Sequence, residues 1–357
     1  MKIFYTADGW QNHFPPALKE MGHEVVEFQY AWGDIYQKLD PSQKHHLASI
    51  TENRPKVSAE LVRQIKQAHA ERPIDLFFSY FYDGIVLPEA IDEIKALGIT
   101  TVNWYCNGSY QIHLVRAISP HYDWCLAPEK FRLKDYEAMG AHPIYCQEAA
   151  NPDFYKPYGL PVEYDVTFVG QAYGDRPDYV EFLRGQGIDV RVWGMNWHLC
   201  SRPSLPRRVW RWGRRALGRG GRPFTILPAH ILGAPLSDVE MVQTYSRSKI
   251  NLGFSSCGET HLSGERILQV RLRDFEVPMS GGFYVVEYME ELEEFFEVGK
   301  EIVCYADPQD LADKIKYYLA HDSERERIRQ AGYARCLRDH SWRTRLGAAF
   351  TKMTLNG

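Results

Sequence analysis

Residues 271–287 read RLRDFEVPMSGGFYVVE. Arg271, Arg273 and Glu276 fall within six residues, beside a Gly-Gly pair that leads into an apolar run. A carboxylate at the end of a helix can accept hydrogen bonds from both hydroxyls of a ribose. A guanidinium nearby can take a diphosphate through two parallel bonds to its oxygens. The same spacing also permits an i,i+3 ion pair between Arg273 and Glu276 on a solvated face, worth only about 0.3 kcal/mol. Periodicity predicts one helix over 265–277. Leu268, Leu272 and Phe275 share its apolar face, and Glu265, Gln269, Arg273 and Glu276 form a polar stripe. Pro278 is expected to stop the helix, and Gly281 and Gly282 to supply the left-handed turn before a strand.

The elements that must position these groups alternate along the chain. KIFYT, EVVEF, DLFFSY, TTVNWY, YDWCLA and PIYCQ read as strands, with helical patterns between most of them. One such pattern covers 57–71, with Ser58 as its N-cap. A proline-rich break, EAANPDFYKPYGLP, separates this series from a second one. There YDVTFVG, DVRVWG, KINLGFS, FYVVE and EIVCYA are strands. Strand-helix alternation argues for parallel sheets covered by helices. The expected fold class is α/β: two tandem Rossmann-like domains whose sheets face a central cleft, with helices at the carboxyl end. The expected boundaries are 1–150, a linker over 151–163, a second domain over 164–338, and a helix over 339–357 that crosses back to the first.

Composition fits this division. The 357 residues are 45% hydrophobic and 25% charged, enough apolar material for two cores. A net charge of −4 points away from a nucleic-acid binder. The seven cysteines are scattered and form no C-x-x-C pair, so they read as reduced, buried thiols, with neither a disulfide framework nor a zinc site. No secretory pattern opens the chain and no apolar stretch is long enough for a bilayer, so a cytoplasmic protein is expected. One segment stands apart. Eight arginines lie between Arg202 and Arg222, with Trp210 and Trp212 among them. It reads either as a solvated charged loop or as a grip on an anionic acceptor or the inner membrane face.

The ordered run RLRDFEVPMSGGFYVVE, ELEEFFEVGKEIVCYADPQDLADKIKYYLA and the arginine-rich helix after it resembles the carboxyl-terminal domain of the CgeB-like (spore-maturation type) glycosyltransferases. The resemblance is close over 237–345 and looser over DVTFVGQAYGDRPDYVEFLRGQGIDVRVWG and NPDFYKP. It implies GT-B architecture and transfer of a sugar from a nucleoside-diphosphate sugar to an acceptor hydroxyl. It implies no metal and no cofactor beyond that co-substrate, with a UDP-sugar favoured. The acceptor would be a glycan of the cell envelope or surface, a lipid-linked carrier or a protein.

Carried over position by position, the resemblance implies that Glu276 holds the ribose and that Arg273 and Arg271 neutralise the diphosphate. Gly170 and Gln171 would form the first loop of the donor domain, with Arg176 at the following helix start. Trp193 and Gly194 would close the next strand, where the base rests. Many retaining GT-B enzymes carry a second glutamate eight residues before the ribose one. Leu268 occupies that position here.

The transfer also needs an acceptor hydroxyl held in line, and often a base, expected at the strand ends of the first domain. The candidates are Asp83 and Asp8, with Asn107, Ser109 and His113 on the acceptor side. The two aspartates each precede a glycine and read equally as turn residues. Relatives often carry acids where this chain has Cys106-Asn107. That keeps open a nucleotide- or glycan-binding relative without turnover. A non-hydrolysing nucleotide-sugar epimerase is a further alternative on the same architecture.

Overall fold

The computed structural model describes residues 1–7, 10–29, 47–201, 225–258 and 265–355. Asp8 and the arginine-rich segment 202–222 lie outside the described residues. The chain divides into two compact units, Met1–Asn151 with Ser341–Gly357, and Pro152–His340.

The first unit is built on six parallel strands: β1 (Lys2–Ala7), β2 (Glu24–Glu27), β3 (Leu76–Tyr80), β4 (Thr100–Trp104), β5 (Trp124–Ala127) and β6 (Pro143–Tyr145). Their order is β2-β1-β3-β4-β5-β6. The chain steps outward from β1 to β2, then returns to lay β3 on the other side of β1. A topological switch point therefore lies between β1 and β3. Helices on both faces explain why Leu76, Phe77 and Phe78 can follow one another and all be buried.

Sequence periodicity placed a helix over 57–71, but the helix runs from Leu47 to Glu71 with Pro55 inside it. Ser58 is therefore not its cap. Its hydroxyl accepts the Leu87 backbone N–H at 2.9 Å. The final helix, Trp342–Lys352, is capped by Ser341, whose Oγ accepts the Thr344 N–H at 3.1 Å. Trp342 is fully buried and donates its indole N–H to His13 Nδ1 at 3.2 Å. Burial lowers the His13 pKa to about 4, so the ring is neutral and can accept this bond.

The second unit carries β7 (Tyr164–Val169), β8 (Val190–Trp193), β9 (Leu232–Gly233), β10 (Ser248–Gly253), β11 (Tyr284–Glu287) and β12 (Val303–Tyr305). The strands are parallel in the order β12-β11-β10-β7-β8-β9, which sets a second switch point between β7 and β10. Thr167 pins that pair, its hydroxyl bonding Asn251 Oδ1 at 3.1 Å and Ser248 Oγ at 2.8 Å. Residues read as a linker pack within this unit. Tyr155 is buried, the Tyr158 N–H donates to Ser246 Oγ at 3.2 Å, and the Glu163 N–H donates to the Arg247 carbonyl at 2.8 Å.

The helix expected over 265–277 is shorter, Leu272–Met279. Residues 267–269 instead run extended beside 255–257. The Cys257 N–H donates to the Ile267 carbonyl at 2.9 Å, and the Gln269 N–H to the Ser255 carbonyl at 3.0 Å. Glu265, Leu268 and Gln269 therefore do not share the helix with Arg273 and Glu276. The helix begins where Asp274 turns back to accept the Arg271 N–H at 2.8 Å. Pro278 sits in its last turn rather than beyond it. The stop comes at Gly281, whose φ is +69°. Among the described residues no helix is long and apolar enough to cross a membrane.

Candidate active site

The switch point of the second unit is where the predicted residues gather. β7 ends at Val169, and the Gly170 N–H donates to the Trp193 carbonyl at 2.8 Å, tying this loop to the end of β8. The buried Trp197 indole donates to the Gly170 carbonyl at 2.7 Å. Gly194 crosses close above. Its φ is +142°, and a Cβ there would lie 2.2 Å from the Gly170 oxygen. Only glycine fits that backbone.

Gly170 also makes room for arginine. A Cβ on it would lie 2.6 Å from Phe168 Cζ and 3.0 Å from Arg273 Nη2. The guanidinium carbons of Arg176 and Arg273 each lie 5.2 Å from the Phe168 ring centroid. Arg176 is buried and stacks 3.7 Å from the Tyr173 ring centroid. Its Nη1 donates to the Gln171 carbonyl at 3.0 Å and its Nη2 to the Tyr173 hydroxyl at 2.6 Å. Arg271 reaches the Ser256 carbonyl, which the Tyr173 hydroxyl also approaches at 3.5 Å.

Three guanidinium groups thus converge at the carboxyl ends of β7 and β10. Burial pulls the Arg176 pKa down to about 9; Tyr173 opposes the shift, and the nearby Arg271 and Arg273 charges reinforce it. Arg273 goes the other way. Burial opposes its charge, but Tyr245, Tyr284 and Glu276 outweigh that and hold it above the ordinary range. The Nε atoms of Arg176 and Arg273 are buried with no hydrogen-bond partner among the described residues. Unpaired buried donors on clustered cations are costly unless an anion meets them.

Glu276 stands one helical turn beyond Arg273 and is buried. Burial pushes its carboxyl up to about 7, against a hydrogen bond from the Tyr155 hydroxyl and the Arg273 charge. Asp274, on the same helix, accepts from the Tyr284 hydroxyl at 2.7 Å, and burial raises it to about 6. A cavity of about 460 Å³ opens past Gly194, between the ends of β8 and β9. Met195, Asn196, His198 and Pro235 help to line it. The Trp193 indole packs against Tyr164, ring centroids 5.1 Å apart, and against Gly233. The Gln171 side chain is exposed.

Residues 176–351 match the glycosyl transferase-like family. The enzyme class expected from the sequence is the class of that family. No curated protein is a significant sequence match. Among solved structures the chain is similar to sucrose-phosphate synthase from Thermosynechococcus elongatus, with a TM-score of 0.59, 13% identity and 99% of each chain covered. It is similar to Anabaena HepE in complex with UDP-glucose, with a TM-score of 0.56, 11% identity and 100% of each chain covered. A putative UDP-N-acetylglucosamine 2-epimerase from Listeria monocytogenes has a TM-score of 0.50, with 13% identity over 100% of this chain and 97% of that one. These likenesses carry the GT-B fold.

The second unit thus brings together Gly170, Arg176, Gly194, Arg271, Arg273 and Glu276. The candidates of the first unit are more dispersed. Asp83 accepts the Ala117 N–H at 3.1 Å and the Ile118 N–H at 3.2 Å, so its carboxylate caps backbone. Burial raises its pKa against those bonds. Asn107 donates to the Tyr80 hydroxyl at 3.2 Å, and His113 is exposed. Ser109 is buried and donates its N–H to Glu129 at 3.3 Å.

Sequence reasoning missed several partners. Phe168 and Tyr173 form the platform for the arginines, and Tyr155 holds Glu276. Tyr155 stood in the NPDFYKP motif, but proline-rich composition read as a connector. Glu129 was missed as well. It follows β5, it is buried, and burial pushes its carboxyl up to about 7. Its place at a strand end was the available signal.

Proposed function

We propose that the chain is a CgeB-like glycosyltransferase that moves a sugar from a nucleoside-diphosphate sugar to an acceptor hydroxyl. Arg176, Arg271 and Arg273 meet the diphosphate. Glu276 accepts from the ribose hydroxyls, and the cavity beside Gly194 takes the base. The observation that carries this reading is the convergence of the three guanidinium groups at the β7/β10 switch point, with the buried Nε atoms of Arg176 and Arg273 bonded to no described residue. Cationic side chains fixed at the leaving group can stabilise its developing charge directly, so we propose transfer without a metal or other cofactor. The acceptor hydroxyl forms the new bond to the anomeric carbon as the bond to the diphosphate oxygen breaks. The hydroxyl proton passes to a base, and the nucleoside diphosphate leaves as an anion among the arginines. The UDP-glucose bound by HepE supports trying UDP first.

The test is thermal shift with UDP, GDP, dTDP, ADP and CMP on the wild type and on Glu276→Ala. A ligand at about 100 times its dissociation constant stabilises by about 2.7 kcal/mol. One nucleoside diphosphate should shift the wild type and fail to shift the variant. No shift with any nucleotide would sink the donor-site reading. One observation favours a second reading, a nucleotide-binding relative without turnover: the Asp83 carboxylate is engaged with backbone N–H groups. Product formation from the matching sugar nucleotide separates the two.

A further inference from the structure

We propose that Tyr155 is a positioning residue of the second unit, and that its hydroxyl makes the site select ribonucleotides over 2′-deoxyribonucleotides. This inference rests on the donor-site reading above and extends it to the pentose.

The segment that carries Tyr155 is stitched to the far end of the helix that carries Glu276. The Tyr158 N–H donates to Ser246 Oγ at 3.2 Å, and that hydroxyl donates to the Ser280 carbonyl at 3.4 Å. Pro157 fills the space beside Gly281, where a Cβ would lie 2.8 Å from its Cγ. The Gly281 carbonyl accepts Arg329 Nη1 at 2.8 Å. Phe154 meets the Tyr155 ring edge-on, with centroids 5.0 Å apart. Tyr155 is therefore a fixed, buried ring with its hydroxyl bonded to the Glu276 carboxylate.

Burial and the Glu276 charge hold the Tyr155 phenol well above the ordinary tyrosine range, so it keeps its proton and donates. An ionised carboxylate has about four acceptor positions, and Tyr155 takes one of them. That bond fixes the carboxylate plane and leaves acceptor positions for two ribose hydroxyls. A site built to bond a hydroxyl rejects the analogue that lacks it, because its own buried group is left unpaired.

Arg273 is the competitor for this carboxylate. It stands three residues earlier on the same helix, a spacing at which arginine and glutamate pair. The structure keeps the two apart. Tyr155 supplies the Glu276 hydrogen bond, and Arg273 acts on that carboxylate through its charge. Arg273 itself packs against Gly170 and the Phe168 ring. Asp238 and Asp274 also face Glu276, and both repel it. Without the Tyr155 hydroxyl, Arg273 is the remaining cation beside Glu276. A carboxylate turned toward it no longer meets the 2′ and 3′ hydroxyls together. The loss falls on the ribonucleotide, because a 2′-deoxy pentose never makes the second bond.

The experiment is calorimetric titration of the full chain with UDP, GDP and ADP and with their 2′-deoxy counterparts. It is run on the wild type, Tyr155→Phe, Glu276→Gln and the double variant. Tyr155→Phe keeps the ring and removes one oxygen, and urea unfolding is recorded on each protein. In the wild type at least one ribonucleotide should bind about tenfold tighter than its 2′-deoxy counterpart. Tyr155→Phe should bring that ratio within about twofold of unity and weaken the 2′-deoxy nucleotide far less. The double variant should show the ratio of Glu276→Gln alone, since Tyr155 acts through that carboxylate. The inference is overturned if the wild type does not discriminate or if Tyr155→Phe keeps the ratio. It is overturned equally if Tyr155→Phe weakens both nucleotides alike, as a packing role alone would. Nucleotide binding with any of those results leaves the donor-site reading standing. Binding of no nucleotide by the wild type overturns both.

Discussion

A Cβ on Gly194 would lie 2.2 Å from the carbonyl oxygen of Gly170, so these two loops can meet only through glycine. The contact joins the end of β8 to the turn after β7, and Arg273 rests against that same turn. Gly194→Ala combines a backbone conformation nearly closed to other residues with a direct clash. The expected cost is about 3 kcal/mol or more, read as a lower denaturation midpoint. Nucleotide affinity should fall with it.

Arg273 and Arg176 share the Phe168 ring but differ in their ties. Arg176 is anchored to Gln171 and Tyr173, whereas Arg273 packs against Gly170 with Tyr245 and Glu276 beside it. Arg273→Ala should therefore weaken UDP more than uridine. Calorimetric titration should show the UDP affinity falling by about tenfold or more, with uridine nearly unchanged. Arg273→Lys should recover only part of the loss, because an ammonium cannot present the planar fork.

Burial raises Glu276 to about 7, Asp274 to about 6 and Glu129 to about 7. A raised carboxyl favours the folded state while protonated. That contribution is full below the unfolded pKa and is lost as pH climbs through the folded one. Stability should therefore decline between about pH 4.5 and 7, and Glu276 alone accounts for up to about 3 kcal/mol of it. Glu276→Gln should flatten this part of the melting profile. Ribose hydroxyls prefer the ionised carboxylate, so nucleotide affinity should rise across the same window in the wild type and lose that slope in the variant.

Asp83 separates a structural role from a chemical one. Its oxygens accept the backbone N–H groups of Ala117 and Ile118. Asp83→Ala should cost about 1 kcal/mol in urea unfolding, as the part-buried Ile118 N–H and the exposed Ala117 N–H lose their acceptor. Asp83→Asn keeps one acceptor oxygen and should retain most of the stability. Turnover abolished in a stable Asp83→Asn protein would assign the carboxylate to proton transfer.

Legibility in the sequence followed the range of the signal. Eleven of the strands announce themselves as short apolar runs, whereas Leu232–Gly233 is too brief to carry a pattern. Arg273 and Glu276 were visible because one helix turn holds both. Their setting was not. Phe168, Tyr173 and Tyr155 reach them across sequence gaps that no local period spans. The 265–277 periodicity misled for a related reason: extended pairing with 255–257 captured residues whose spacing also suited a helix. Ser58 is the same lesson in the first unit, a cap-type residue drawn into a helix interior by its bond to Leu87.

The last helix carries a consequence for how the protein is made. Trp342 packs 4.5 Å from Phe14 and 5.3 Å from Trp104 by ring centroids, within the aromatic centre of the first unit. A ribosome delivers Phe14 and Trp104 long before Trp342. The second unit, all of it encoded between, has every residue it needs to close its own sheet before the first has its final tryptophan. The aromatic centre of the nascent amino-terminal half therefore lacks Trp342 until translation reaches the closing helix.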